Sequence, residues 1–459
     1  MNRSIRILAL VLAALLLPAG VGVVRALAAV ERQYAPLDPP AVVEPADGGR
    51  PHDPGRPTAV VVLGANGAEV SDVLAPYEVL ATSGAFNVYT VAPGREVLPL
   101  TGGLHLAPDL TFAELRDRLG APPDVVVVPA MPDVGEPDAE PVSAWLREQS
   151  AGGSLLVSVC NGAEVLAAAG LLDGRDATSH FARLDALERR YPEVSWRRGT
   201  RYVDDGEVIS TGGLLSNIDG SLRVVERLAG ADVASRTADE IGWDHYSPGA
   251  PAALPVQQLG PGAVIFPVNA AYRTTDLGVV LTDGVGELEL ASVFDTYSGQ
   301  SLAARTVAVT VADDVVTSRH GLRFVPVADL DRVGGLDRLL VPGADAAGRR
   351  DPDLAARADA LGLAPEYVHA EAGFPFEATL RDLARTTDRP TARWAAKVLE
   401  YPVDGLRLTG PSWPWSVLVL PSLLTLAGLA VVAGVALTVR RRALCHRLRP
   451  TDRLTWRLS

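Results

Sequence analysis

A cysteine ends the apolar run Leu155-Leu156-Val157-Ser158-Val159 and is followed by Asn161-Gly162-Ala163, which opens a small-residue helix through Ala169. A strand that stops on a nucleophile and turns at once into a helix sets that residue over the C-terminal edge of a parallel sheet, where open α/β folds bind ligands. The helix N-terminus offers unpaired N–H groups and a positive dipole end, which favour a thiolate over a thiol. Gly162 lets helix and strand approach closely. The pattern predicts an activated Cys160 nucleophile. A cysteine closing an apolar strand also fits an inert core residue, so the run alone leaves both readings open. Asp72, heading Asp72-Val73-Leu74-Ala75-Pro76, reads by itself as a helix N-cap. The seven histidines are scattered without metal-ligand spacing, no glycine-rich phosphate loop follows a strand, and no serine-centred elbow occurs. No metal and no cofactor is expected.

The elements that must position Cys160 begin at Thr58. Ala59-Val60-Val61-Val62-Leu63 is a short β-branched run of the kind that fills a parallel sheet buried on both faces. Helical spacing from Asp72 to Ala81 follows, then a strand Asn87–Val91, a helix around Phe112–Leu119, a strand Asp124–Val128, a helix around Ala139–Gln149 and a strand Ser154–Val159. Strands alternating with helices predict an α/β fold with a doubly wound, mostly parallel, flavodoxin-like sheet.

The chain also matches itself. Gly67-Ala68-Glu69-Val70-Ser71-Asp72 through Tyr77-Glu78-Val79 parallels Gly284-Val285-Gly286-Glu287-Leu288-Glu289 through Phe294-Asp295-Thr296. Asn87–Ala92 parallels Thr306–Ala312, and Asp124–Pro129 parallels Asp337–Pro342. The fold is therefore expected twice. The second copy keeps a carboxylate, Glu289, at the position of Asp72, and has no cysteine. Spacing puts its elbow near Glu371-Ala372-Gly373, so this half is expected to be catalytically silent, a structural or dimer-mimicking partner.

Three runs in order carry a family resemblance: Asp72 to Val79 with Pro76, Cys160-Asn161-Gly162, and Ala169-Gly170-Leu171-Leu172-Asp173-Gly174 with His180 close behind. Together with Ser210-Thr211-Gly212-Gly213 they resemble the PfpI family of the class I glutamine amidotransferase-like superfamily, over roughly 58–230. The likeness is to its isonitrile hydratase-like branch and to the sensor-like domains of certain transcription regulators. The resemblance implies a Cys160 thiolate hydrogen-bonded to Asp72, which delivers or takes a proton, and a pocket in which Asn161, Gly162 and the Met131 backbone line the oxyanion side. It places His180 near the pocket, as a proton-transfer aid or a structural histidine. Asn161 departs from members with a histidine directly after the cysteine, which argues against protease-like activity. Pro129-Ala130-Met131 departs from the glycines of relatives and narrows the site.

Both ends read as membrane segments. Arg3 and Arg6 precede an apolar stretch from Ile7 to Val24, and Ala26-Leu27-Ala28 resembles a cleavage site; a removed signal peptide and a retained signal anchor both fit. Trp413-Pro414-Trp415 opens an uncharged segment to Val439 that meets Arg440-Arg441-Arg442, as a spanning helix with an interfacial aromatic pair and a cytoplasmic basic stop does. The expected order is a signal peptide or signal-anchor helix (1–30), a linker (31–57), a PfpI-like domain (58–232), a connector (233–262), a degenerate PfpI-like domain without cysteine (263–405), a transmembrane helix (413–439) and a basic tail (440–459). The main domains are thus expected outside the cytoplasm at the cell membrane, with Cys160 and Cys445 on opposite sides and unable to pair.

A net charge of −13 over 459 residues leaves no cationic excess for phosphates and argues against a nucleic-acid partner. The function expected is a cysteine-dependent hydratase or hydrolase acting on a small electrophile such as an isonitrile. A non-catalytic membrane sensor or scaffold binding a small molecule in the same pocket is the alternative, and oxidative sensing by Cys160 a third. A homodimer and an internal pseudo-dimer both fit the duplication.

Overall fold

The computed structural model describes residues 3–43, 51–249, 253–311, 315–403 and 405–447. Part of the expected linker, part of the connector around Pro251 and the tail beyond 447 lie outside the described residues, as does the Cys445 side chain.

The first half is built on seven strands: β1 (Thr58–Val62), β2 (Asn87–Ala92), β3 (Leu110–Thr111), β4 (Val125–Val128), β5 (Leu155–Ser158), β6 (Tyr202–Asp204) and β7 (Val208–Thr211). They lie in the order β6-β7-β5-β4-β1-β2-β3, parallel throughout except for β6 against β7. Every residue of β1 is buried because helices cover both faces. Its side chains alternate: Ala59 and Val61 enter one apolar cluster while Val60 and Val62 enter the other.

The second half carries β8 (Asp276–Val280), β9 (Arg305–Thr310), β10 (Ala328–Asp329), β11 (Arg338–Val341) and β12 (Pro365–Tyr367), in the order β10-β9-β8-β11-β12 and all parallel. This is the order of β3-β2-β1-β4-β5 in the first half. The halves are not beads on a string. Helix Val70–Thr82 packs against helix Glu287–Phe294, and the apolar cluster on that side runs from Ala59 through both halves to Tyr401. Phe294 and Phe324, both fully buried there, each contribute roughly 1.5–3 kcal/mol through burial. The segments Leu98–Leu100 and Leu104–Ala107 also share a small antiparallel sheet with Arg323–Phe324 and Val316–Thr317 of the second half.

The register corrects the expected elbow of the second half. The Val159 N–H donates to the Val128 carbonyl at 2.9 Å, and the Val368 N–H donates to the Val341 carbonyl at 3.3 Å. The residue after Val368 is His369, so His369 stands where Cys160 stands, and Glu371-Ala372-Gly373 lies beyond the turn. Spacing missed this because the chain between β11 and β12 differs in length from that between β4 and β5.

Helix Arg3–Glu31 and helix Val419–Arg447 pack side by side. A Cβ on Gly428 would sit 2.5 Å from the Ala14 carbonyl oxygen, so the backbones meet where both residues are small. Each helix is long and apolar enough to cross a membrane by length and composition.

Candidate functional site

Cys160 follows β5 with φ of 53°, in the left-handed region that non-glycine residues rarely occupy. The strain is held by its surroundings: the Ser179 hydroxyl donates to the Cys160 carbonyl at 2.7 Å, and the Gly162 N–H donates to Val159 at 2.7 Å. A Cβ on Gly162 would lie 2.0 Å from the Val128 carbonyl oxygen, so only glycine lets the helix start this close to β4.

Asp72 reaches the site from the first turn of helix Val70–Thr82. The N-cap of that helix is Glu69, not Asp72 as the sequence suggested: the Asp72 N–H donates to Glu69 Oε2 at 2.7 Å. Asp72 is fully buried. Its Oδ2 accepts the Ala130 N–H at 3.0 Å, and its Oδ1 has no hydrogen-bond partner among the described residues. Glu69 Oε1 accepts from the Thr101 hydroxyl at 3.2 Å and from Gln300 Nε2 at 3.3 Å. Asp295 of the second half accepts from the Ser71 hydroxyl.

Burial sets the protonation of this cluster. It pushes Asp72 up to about 8, with the Asp295 charge adding to it and the Ala130 N–H opposing it. Glu69 rises to about 8 through burial and the charge of Asp72, and burial with the Glu69 charge lifts Asp295 well above the carboxylate range. The Cys160 thiol is raised as well, first by burial and then by Asp72 and Glu69, against a backbone hydrogen bond from Asn161 that favours the thiolate. The expected activation by the helix end is thereby overturned for this conformation. The helix Gly162–Ala168 is short, and the desolvation of a sulfur in a residue only 8% exposed outweighs its dipole. The expected hydrogen bond between Cys160 and Asp72 is not formed among the described residues: Asp72 Oδ1 has no partner, and the carboxyl acts on the sulfur through its charge alone.

Of the other expected residues, His180 is buried and neutral, its pKa lowered chiefly by burial, and its Nε2–H donates to the Val398 carbonyl at 3.0 Å. The side chain of Asn161 is used elsewhere: its amide donates to Glu164 at 2.9 Å and its oxygen accepts from Arg183 at 3.2 Å. Asn161 therefore serves the sulfur through its backbone. Met131 is buried, with its thioether sulfur 3.0 Å from where a Cβ on Gly64 would stand.

A scan against family models matches residues 58–227 to the DJ-1/PfpI family. An isonitrile hydratase of Pseudomonas putida is 32% identical over 199 residues, 42% of this chain and 81% of that enzyme. The chain belongs to the DJ-1/PfpI family. The transcriptional regulator GlxA of Rhizobium meliloti is 29% identical over 202 residues, 44% of this chain and 59% of the regulator. Among solved structures, Drosophila melanogaster DJ-1beta aligns at 24% identity over 40% of this chain and 97% of its own, with a TM-score of 0.36.

Beside the DJ-1/PfpI residues stand others that sequence reasoning passed over. Glu400, from the second half, accepts the Gly213 N–H and the Ser216 hydroxyl, each at 2.5 Å, and its charge acts on both Cys160 and His180. Four described non-glycine residues have positive φ, and Cys160 and Glu400 are two of them. A small cavity of about 20 Å³ is lined by Ser179, Phe181 and Glu400 among others. Gln300 and Asp295 enter from the π-helical segment Asp295–Gly299 and its end. In the second half His369 Nδ1 accepts the Gly343 N–H at 3.0 Å and Glu289 accepts the Ala344 N–H at 2.6 Å, so the counterpart of the cysteine site is closed by internal bonds.

Proposed function

We propose that this protein is a membrane-anchored, extracytoplasmic DJ-1/PfpI enzyme that hydrates or hydrolyses a small electrophile of the isonitrile class, with Cys160 as nucleophile and Asp72 as proton carrier. The observation that carries the reading is the fully buried Oδ1 of Asp72, without a hydrogen-bond partner among the described residues, on a carboxyl whose charge reaches a sulfur held on a strained strand-to-helix turn. An isonitrile carbon needs both a proton and a nucleophile. Asp72 gives its proton to that carbon as the Cys160 sulfur bonds to it, and the thiol proton returns to Asp72. The product of this step is a thioimidate. Water then adds to the thioimidate carbon as one of its protons passes to the nitrogen, the carbon–sulfur bond breaks as the other passes to the sulfur, and an N-substituted formamide leaves. The raised Asp72 suits this role, because a carboxyl with a pKa near the working pH is best matched to proton transfer. His180 is a structural histidine in this scheme.

The second half is proposed to be a degenerate copy of the first that replaces a dimer partner, over 263–405, with 58–232 as the catalytic domain. The common strand order and the exchange of Cys160 for His369 support this. The paired terminal helices and the basic residues at one end of each support a membrane anchor with the site outside. A second reading, a non-catalytic small-molecule sensor, is supported by the small exposure of Cys160 and by the kinship with transcription regulators. Incubating purified full-length protein with an alkyl isonitrile and following formamide by NMR separates them. Turnover that disappears in Cys160→Ser and Asp72→Asn supports the enzyme; saturable binding without turnover, indifferent to Cys160→Ser, supports the sensor.

A further inference from the structure

The N-terminal helix does not end in a slack linker. Glu31 keeps helical backbone angles (φ −58°, ψ −38°), and the tight turn Arg32–Tyr34 continues the helix axis before Ala35 turns extended. That turn enters the junction of the two halves. Gln33 Oε1 accepts the Gly102 N–H at 3.1 Å, and its amide reaches Ser298 at 3.5 Å. His105 donates to the Ala35 carbonyl at 3.0 Å. Both anchor points are built into the cysteine site: Thr101, next to Gly102, holds Glu69, and Ser298 lies between Asp295 and Gln300. The half-buried Tyr34 phenol lies among Glu69, Asp72, Asp295 and Cys160, near enough to feel the charge of each.

We infer that the turn Arg32–Tyr34 is a plug over Cys160, and that displacement of the N-terminal helix opens the sulfur to small molecules. The helix is fastened to the second half through Arg25, which donates to the Ala271 and Arg273 carbonyls at 2.9 and 2.6 Å, and through Tyr272, whose hydroxyl donates to the Pro18 carbonyl at 3.2 Å. The helix is continuous through Pro18, Gly20 and Gly22 to Glu31, so its movement reaches the last turn. The turn has somewhere to go. A cavity of about 620 Å³ adjoins it, lined by Arg25, Arg32, Gln33, Ser298 and Arg305 among others, so withdrawal of Gln33 and Tyr34 needs no collapse of the core. The plug accounts for a sulfur that is nearly sealed in a site otherwise arranged for chemistry, and it links the state of the membrane helix pair to that site. It rests on the reading of Cys160 as the working group for its purpose, not for its measurement.

The test uses full-length protein in nanodiscs with Cys445→Ser, leaving Cys160 as the sole thiol, and follows alkylation by iodoacetamide. Tyr34→Ala and Gln33→Ala are expected to react about tenfold faster than the parent, as removal of a local closing contact should allow, with an unchanged thermal midpoint. Arg25→Ala, which frees the helix without touching the site, is expected to shift the rate in the same direction. Rates within about twofold of the parent in all three variants, or a gain only in step with a fall in the thermal midpoint, overturn the plug. Absence of isonitrile turnover would sink the hydratase reading and leave these alkylation rates as they are.

Discussion

The Ser71 hydroxyl donates to the Asp295 carboxyl across the junction of the two halves, one residue ahead of Asp72. Its pseudo-symmetric counterpart is the Leu288 N–H donating to Glu78 at 2.5 Å, one residue ahead of Glu289. Each half thus presents a carboxyl to the start of the other's first helix, as an isologous interface does. On the cysteine side the ionised form of that carboxyl raises Asp72.

Asp295→Asn keeps an oxygen for Ser71 and removes a carboxyl whose ionisation in the alkaline range helps hold the Asp72 proton. The alkaline limb of the activity profile is expected to move down by about half a pH unit or more, with little change in thermal midpoint. A pH series on turnover of both forms checks it; superimposable profiles would separate Asp295 from the site.

Stability should fall as the solution becomes alkaline. Asp72 and Glu69 hold protons up to about 8 in the folded protein and only to about 4 when unfolded, so unfolding releases protons over that range. Their contribution is complete below about pH 4 and is lost as pH rises through about 8. Melting curves at intervals from pH 5 to 9 should show a midpoint that drops towards the alkaline end, less steeply in Asp72→Asn; a flat or rising series would mean the cluster is ionised when folded.

Gly162→Ala is expected to destabilise by about 1–3 kcal/mol, since the new methyl meets the Val128 carbonyl rather than a movable side chain. It should also abolish turnover by displacing the Asn161–Gly162 turn under the sulfur. Chemical denaturation and an activity assay read the two effects; wild-type stability would show that the helix start has room to shift.

Much of this was legible in the chain itself. The Val-rich runs at 59–62 and 125–128, the cysteine turn and Asp72 stand out because each is a local pattern that backbone geometry demands. What escaped is non-local. Gly213 and Glu400 bond across 187 residues, and no neighbouring residue marks Glu400 as anything but a surface acid. Tyr34 sits in a stretch that reads as linker, and Glu69 differs from any helix-capping acid only by what folds over it. The protonation of the sulfur escapes for the same reason: the helix end is a local feature, whereas the burial that overrides it is set by tertiary packing.

The pairing of Asp72 with Cys160 is tested most directly by the pH dependence of Cys160 alkylation in the Cys445→Ser background, with and without Asp72→Asn. The parent should show an apparent thiol pKa above the ordinary cysteine range, and Asp72→Asn should bring it down and speed alkylation at pH 8. Identical profiles in the two proteins would place the sulfur beyond the reach of Asp72 and contradict the account.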